Sequence, residues 1–214
     1  MTASRRPRRG ALIAVEGIDG MGKSTQVERL AARLNDQGRT AVATREPTQG
    51  PWGRKIRALA REGRRDVSPE DELDWFLRDR MEHVELVIRP GLRAGRIVVT
   101  DRYYFSTMAY QGALGIDPQR IREMNEALFP RPDLVILLRG EPRLGLARIA
   151  REREGGTDVG FEQAHTLGRV AELFESLRDP AIRVVDARGT REEVAGRIWA
   201  VVEPLLGQLE SAAE

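Results

Sequence analysis

Gly17-Ile18-Asp19-Gly20-Met21-Gly22-Lys23-Ser24 is a complete G-x-x-x-x-G-K-[ST] pattern, and it joins an apolar run at 12–15 to a segment with helical spacing. A chain that does this is committed to a strand, a glycine-rich turn and a helix in immediate succession. The glycines let successive backbone N–H groups turn inward around phosphate oxygens, and the helix that follows aims its positive end at them. Lys23 supplies a compact, mobile cation for the terminal phosphates, and Ser24 a hydroxyl for Mg²⁺. Gly17, Ile18, Asp19, Gly20, Met21, Gly22, Lys23, Ser24 and Thr25 are therefore expected to bind a nucleoside triphosphate with magnesium. The alternative is a glycine-rich turn that binds nothing.

Beyond this loop the chain alternates. Short apolar, β-branched runs at 12–15, 40–44, 97–100, 134–138 and 182–185 predict buried strands. Helical spacing marks 24–37, 69–89, 120–128, 143–153, 163–177 and 191–206, with Ser68 placed to cap the second of these and Pro90-Gly91 beyond its end. Such alternation implies an α/β fold: a three-layer sandwich with a five-stranded parallel sheet and helices on both faces. Ligands of such sheets sit at the carboxyl ends of the strands. With 214 residues and no internal repeat, one domain at 10–214 is expected, preceded by a disordered basic tail at 1–9.

Composition removes several function classes. The net charge is +2, but Arg5, Arg6, Arg8 and Arg9 supply four positive charges, leaving −2 over residues 10–214. The body is thus not a basic nucleic-acid binder. The longest uncharged stretch, 103–116, is 14 residues, short of the ~18 a membrane span needs, and no signal peptide is expected. Cysteine is absent, which excludes disulfides and thiolate chemistry and fits a cytoplasmic protein. Of the 35 basic residues only Lys23 and Lys55 are lysine, so each surviving lysine marks a position where arginine is not an equivalent.

The phosphate loop alone serves kinases, GTPases, motors and binding proteins. A GTPase would show an Asn/Thr-Lys-x-Asp motif, yet neither lysine begins one. A small kinase needs cations converging on two sets of phosphates, plus an acceptor pocket. Eleven aromatics are present in all, and Trp75, Phe76, Tyr103, Tyr104, Phe105 and Tyr110 fall in two brief segments accompanied by Arg78, Arg80 and Arg102. Stacking surface beside guanidinium forks suits a flat base joined to a phosphate, although aromatics on a helix also serve as ordinary core.

Several motifs together resemble bacterial thymidylate kinase: Val15-Glu16 leading into the phosphate loop, Ser24-Thr25-Gln26 after it, Thr44-Arg45-Glu46-Pro47, Phe76-Leu77-Arg78-Asp79-Arg80, and Asp101-Arg102-Tyr103 with Ser106-Thr107-Met108-Ala109-Tyr110-Gln111-Gly112. The resemblance covers nearly the whole chain in order and spacing. It implies the nucleoside-monophosphate-kinase form of the P-loop NTPase fold and transfer of the γ-phosphoryl group of ATP to dTMP, giving dTDP for dTTP synthesis. The implied cofactors are ATP and Mg²⁺, and the implied assembly is a homodimer packed through 69–89. Carried over position by position, Phe76 would stack on thymine, Arg80 donate to a base carbonyl, Thr107 and Gln111 meet the other base edge, and Tyr110 close on the deoxyribose. Asp19, Glu46, Arg57 and Arg102 would border the acceptor sugar and phosphate. Ser24 would ligate magnesium, with Asp101 acting on the ion through its ligands. Catalysis would rest on Lys23, Asp19, Arg102 and a lid at about 148–162 carrying Arg151 and Arg153, since the loop position that holds an arginine in some relatives is Gly20. Arg139-Gly140-Glu141-Pro142 and Asp158-Val159 depart from the family pattern near that lid. The alternatives are a kinase for another nucleoside monophosphate, or a P-loop protein without turnover.

Overall fold

The computed structural model describes residues 9–62, 66–141, 143, 145 and 161–211, and of 161–166 the backbone. The lid positions Arg151 and Arg153 lie outside the described residues. β1 (Ala11–Glu16) is buried along its whole length and lies mid-sheet. Its neighbours are β3 (Ile97–Asp101) and β4 (Leu134–Arg139), flanked by β2 (Ala41–Arg45) and β5 (Ile182–Asp186) in the order β2-β3-β1-β4-β5. Every pairing is parallel. The register sets Val15 and Arg45 on either side of Asp101, so the segments after β1, β2 and β3 leave the sheet at one end and one level.

The helices are α1 (Lys23–Asp36), α2 (Pro51–Glu62), α3 (Pro69–His83), α4 (Arg89–Arg93), α5 (Tyr104–Ala113), α6 (Pro118–Leu128), α7 (Phe161–Ser176) and α8 (Arg191–Ser211). The chain leaves β1 toward one sheet edge and β3 toward the other. Right-handed crossovers in opposite directions cover opposite faces, giving the three-layer sandwich. α1 packs on α8, while α5 packs on α3, α6 and α7. α1 buries Val27, Leu30, Ala31 and Leu34, the stripe its spacing predicts, and ends where left-handed Gly38 (φ 74°) lets Arg39 N–H return to Leu34 O at 3.0 Å.

Three elements differ from the sequence expectation, and one of them is α5 (Tyr104–Ala113), a helix in a stretch where spacing marked none. Ser68 caps α3 through Asp71 N–H at 3.1 Å as anticipated, but Pro90 does not end the helix. A π-helical turn at Val84–Ile88 widens the backbone so that Arg89 N–H reaches Val84 O, and Pro90, which has no N–H to donate, falls in the first turn of α4. α2 is a further difference, because no sequence pattern marks it. It follows Glu46-Pro47, a cis peptide bond, and Gly53 lets it approach the Thr48 backbone closer than any side chain would permit.

Candidate active site

The crevice opens where the connections from β1 and β3 diverge. Gly17 (φ 134°), Gly20 (φ 78°) and Gly22 (φ 83°) hold the loop in conformations open to glycine. A Cβ on Gly17 would meet Leu138 O at 2.5 Å, so this position also needs glycine for close approach to β4. Ile18 and Met21 turn into the core and anchor the loop from beneath. Lys23 Nζ donates to Ile18 O at 2.8 Å. Burial, then repulsion from Arg102, lowers its pKa to about 8. Ser24 Oγ donates to Asp101 Oδ2 at 2.5 Å, while Asp101 Oδ1 is buried with no hydrogen-bond partner among the described residues. A cavity of about 560 Å³ runs from residues 19–26 past Asp101 and Arg102 to Ala187, Gly189 and Thr190. The turn after β5 thus forms a wall of it.

Facing the loop is Arg102, the described non-glycine residue in the left-handed region (φ 71°). That conformation is costly for arginine and persists because its surroundings hold it. Arg102 N–H donates to Val15 O at 3.0 Å, and its carbonyl accepts from Thr100 Oγ1 at 2.9 Å. Its guanidinium donates to Asp19 Oδ1 (2.6 Å), Ser106 Oγ (2.8 Å) and Tyr110 OH (3.3 Å). Tyr110 OH in turn donates to Asp19 Oδ2 at 3.1 Å. Burial opposes ionisation of Asp19, but Arg102 and Lys23 outweigh it and lower its pKa to about 2. Burial likewise works against the charge on Arg102, yet Tyr110, Asp19, Asp101 and Glu16 hold its pKa above the ordinary value. Behind it lies Glu16, fully buried and not assigned a role from sequence. It accepts from Tyr103 N–H (2.8 Å), Ser106 N–H (3.2 Å) and Ser106 Oγ (2.5 Å).

A second group forms beneath α3 and α5. Arg80 is 1% exposed and donates to Glu46 Oε2 from Nε (2.9 Å) and Nη2 (2.6 Å), to Asn125 Oδ1 from Nη1 (2.6 Å) and to Thr107 Oγ1 from Nη2 (3.0 Å). Four of its five N–H groups are thereby used. Burial raises the pKa of Glu46, but Arg80 and His83 reverse this and lower it. One turn beyond Thr107, Gln111 is wholly buried, and both atoms of its amide lack partners among the described residues. Such atoms are costly unless something else meets them. Phe76 sits half-buried one turn before Arg80 on α3. Arg57, on α2, donates to Pro47 O (2.7 Å), to Thr48 O and to Gln49 Oε1 (2.9 Å), so it shapes the turn after β2. The structure thus gathers Asp19, Arg102 and Tyr110 at the loop mouth, and Glu46, Arg80 and Thr107 in one buried cluster. His83, Asn125, Ser106 and Glu16 are the functional candidates the sequence did not single out. Among them Glu16 and Ser106 lie in motifs that could have signalled them.

The thymidylate kinase family model matches residues 15–198. Curated relatives named thymidylate kinase include those of Desulfotalea psychrophila (45% identical over 197 residues, 92% of this chain and 96% of the relative) and Xylella fastidiosa strain M12 (43% over 204 residues, 94% and 92%). That of Xanthomonas campestris pv. campestris strain B100 is 44% identical over 193 residues, covering 90% of this chain and 83% of the relative.

Proposed function

The chain belongs to the thymidylate kinase family, and from that premise we propose that it phosphorylates dTMP at the expense of ATP through the residues assembled at this crevice. An oxygen of the acceptor phosphate forms a bond to Pγ as the bond from Pγ to the β–γ bridging oxygen breaks, leaving dTDP and ADP. The loop N–H groups and Lys23 hold the donor phosphates, and Lys23 exchanges its bond to Ile18 O for a phosphate oxygen. Arg102 stands between donor and acceptor phosphates and neutralises both, which preserves in-line approach. Asp19, ionised at any working pH, accepts from the deoxyribose 3′-hydroxyl.

Magnesium fits the residues present. Ser24 Oγ adjoins Asp101, whose Oδ1 is a buried acceptor without a partner among the described residues. No cluster of three or more His, Asp or Glu side chains occurs among those residues, in keeping with an ion held mainly by phosphate oxygens and water. When bound, the ion neutralises charge on the donor phosphates.

The observation that carries the choice of thymine is Gln111. Its amide can accept from N3–H and donate to O4 of thymine, and the remaining Arg80 N–H, which can only donate, suits the O4 carbonyl and opposes the amino group that cytosine carries there. Thr107 and the remaining Nη1 N–H of Arg80 meet the same ring, Phe76 stacks on it, and Glu46 acts by holding Arg80. Arg57 holds the turn that borders the acceptor phosphate. A Cβ on Gly20 would overlap the Gly145 backbone, so this loop cannot carry an arginine, and Arg151 or Arg153 supplies the lid cation. Exposed Met81 (48%) and Leu86 (76%) on the 69–93 segment support a homodimer through that face. Among the described residues no helix is long and apolar enough to cross a membrane, and we place the enzyme in the cytoplasm. Measuring ADP release with dTMP, dUMP, dCMP, dGMP and UMP tests the proposal. kcat/KM should peak on dTMP and fall by at least tenfold in Gln111→Leu. A maximum on another nucleotide would overturn it.

A further inference from the structure

His83 is 2% exposed and has hydrogen-bonding partners at both ring nitrogens. Nδ1 lies 2.9 Å from Glu46 Oε1 and Nε2 lies 2.7 Å from Thr44 Oγ1. The Glu46 carboxylate can only accept, so Nδ1 carries a proton; a neutral ring then takes the Thr44 hydroxyl proton at Nε2. His83 is the last residue of α3 before the π turn, a local widening that often marks functional positions.

The consequence lies on the other oxygen of Glu46. An arginine facing a carboxylate ordinarily pairs fork to fork, one nitrogen per oxygen. Here both Arg80 bonds, from Nε and Nη2, converge on Oε2 at 2.9 and 2.6 Å, because Oε1 is held by His83. That arrangement leaves Nη2 within 3.0 Å of Thr107 and directs Nη1 to Asn125 and the space beyond. Without His83, Oε1 is left buried with no donor, and the carboxylate can rotate to pair with Arg80 on both oxygens. The guanidinium then swings away from Thr107.

We propose that His83 is a positioning residue for acceptor-base recognition, acting from the edge strand through Thr44, His83 and Glu46 to fix Arg80 against Thr107. The inference rests on the acceptor site described above. Three variants separate its parts. His83→Asn keeps an amide N–H where Nδ1 stands and should retain a KM for dTMP near that of the parent. His83→Gln sets its amide toward Thr44, loses the donor to Glu46, and should raise that KM about tenfold, equivalent to ~1.4 kcal/mol, with the KM for ATP unchanged. A merely structural histidine would instead lower the melting temperature in both variants and leave the two KM values alone. Thr107→Val is the control. If it raises the KM for dTMP and His83→Gln does not, the role of His83 is refuted. If neither does, the acceptor-site assignment falls with it. Should His83→Gln fail to fold, Thr44→Val decides: a rise of about threefold in the KM for dTMP supports the relay, and no change overturns it.

Discussion

Glu16 gives the sharpest link between the fold and an observable. Burial is the largest influence on its carboxyl and pushes the pKa up to about 7 from 4.5, against the opposing pull of the Ser106 hydrogen bond and the Arg102 charge. In the unfolded chain the proton is lost near 4.5, and in the folded protein only near 7. Between those values the folded state binds more protons than the unfolded one, so this group's contribution to stability falls as pH rises and is fully lost above 7. Roughly two and a half pH decades at ~1.36 kcal/mol each amount to about 3 kcal/mol. Glu16→Gln removes the titration while leaving an oxygen for the two backbone N–H groups and an amide for Ser106 Oγ. The stability difference between parent and variant should therefore move by about 3 kcal/mol in favour of glutamine between pH 4.5 and pH 8. In a domain of this size that is roughly 6–12 °C in relative melting temperature. Urea titrations of both proteins at the two pH values measure it, and subtraction cancels every group the variant retains, including Asp19. A difference that stays constant across that range would show that Glu16 carries no perturbed proton and would refute the burial argument.

Other expectations follow from the same contacts. Tyr110→Ala removes the ring beside Asp19 and Arg102 and should admit a ribose, seen as a gain in UMP turnover; no gain would count against Tyr110 as the steric filter. Replacing Arg151 and Arg153 together with alanine should lower kcat by at least about 10² while ATP affinity holds, and unaltered turnover would remove them from the lid role. Lys55 Nζ lies 3.7 Å from the Trp75 ring centroid and 5.3 Å from that of Trp52. Lys55→Ala should cost ~0.5–1 kcal/mol, read as a drop of a few degrees in calorimetry, and an unchanged melting temperature would show the stack to be idle.

Much of this molecule is legible in its residues, and the exceptions have physical causes. β1, β3 and β4 announce themselves because strands buried on both faces are continuously apolar, whereas β2, an edge strand, is offset by one residue from its expected start. α2 escapes because its stripe of Gly53, Ile56 and Leu59 is narrow and opens on a proline and a glycine that read as a turn. Pro90 misleads because a π turn removes the penalty it ordinarily carries. The phosphate loop is readable since its chemistry is contiguous, and Lys55 finds its reason only when α2 and α3 bring two tryptophans to it. His83, Asn125 and Ser106 act through partners 37 to 90 positions away, and no local spacing encodes such a pairing.

The most direct test concerns Arg102, the residue held in a left-handed conformation between Asp19, Ser106 and Tyr110. Transfer of labelled phosphate from [γ-³²P]ATP to dTMP, followed to labelled dTDP in the parent and in Arg102→Ala, measures its part in the reaction. A guanidinium that neutralises both phosphates predicts a loss in kcat of about 10³ or more with ATP affinity little changed. Labelled dTDP formed by Arg102→Ala at a rate within tenfold of the parent would contradict it.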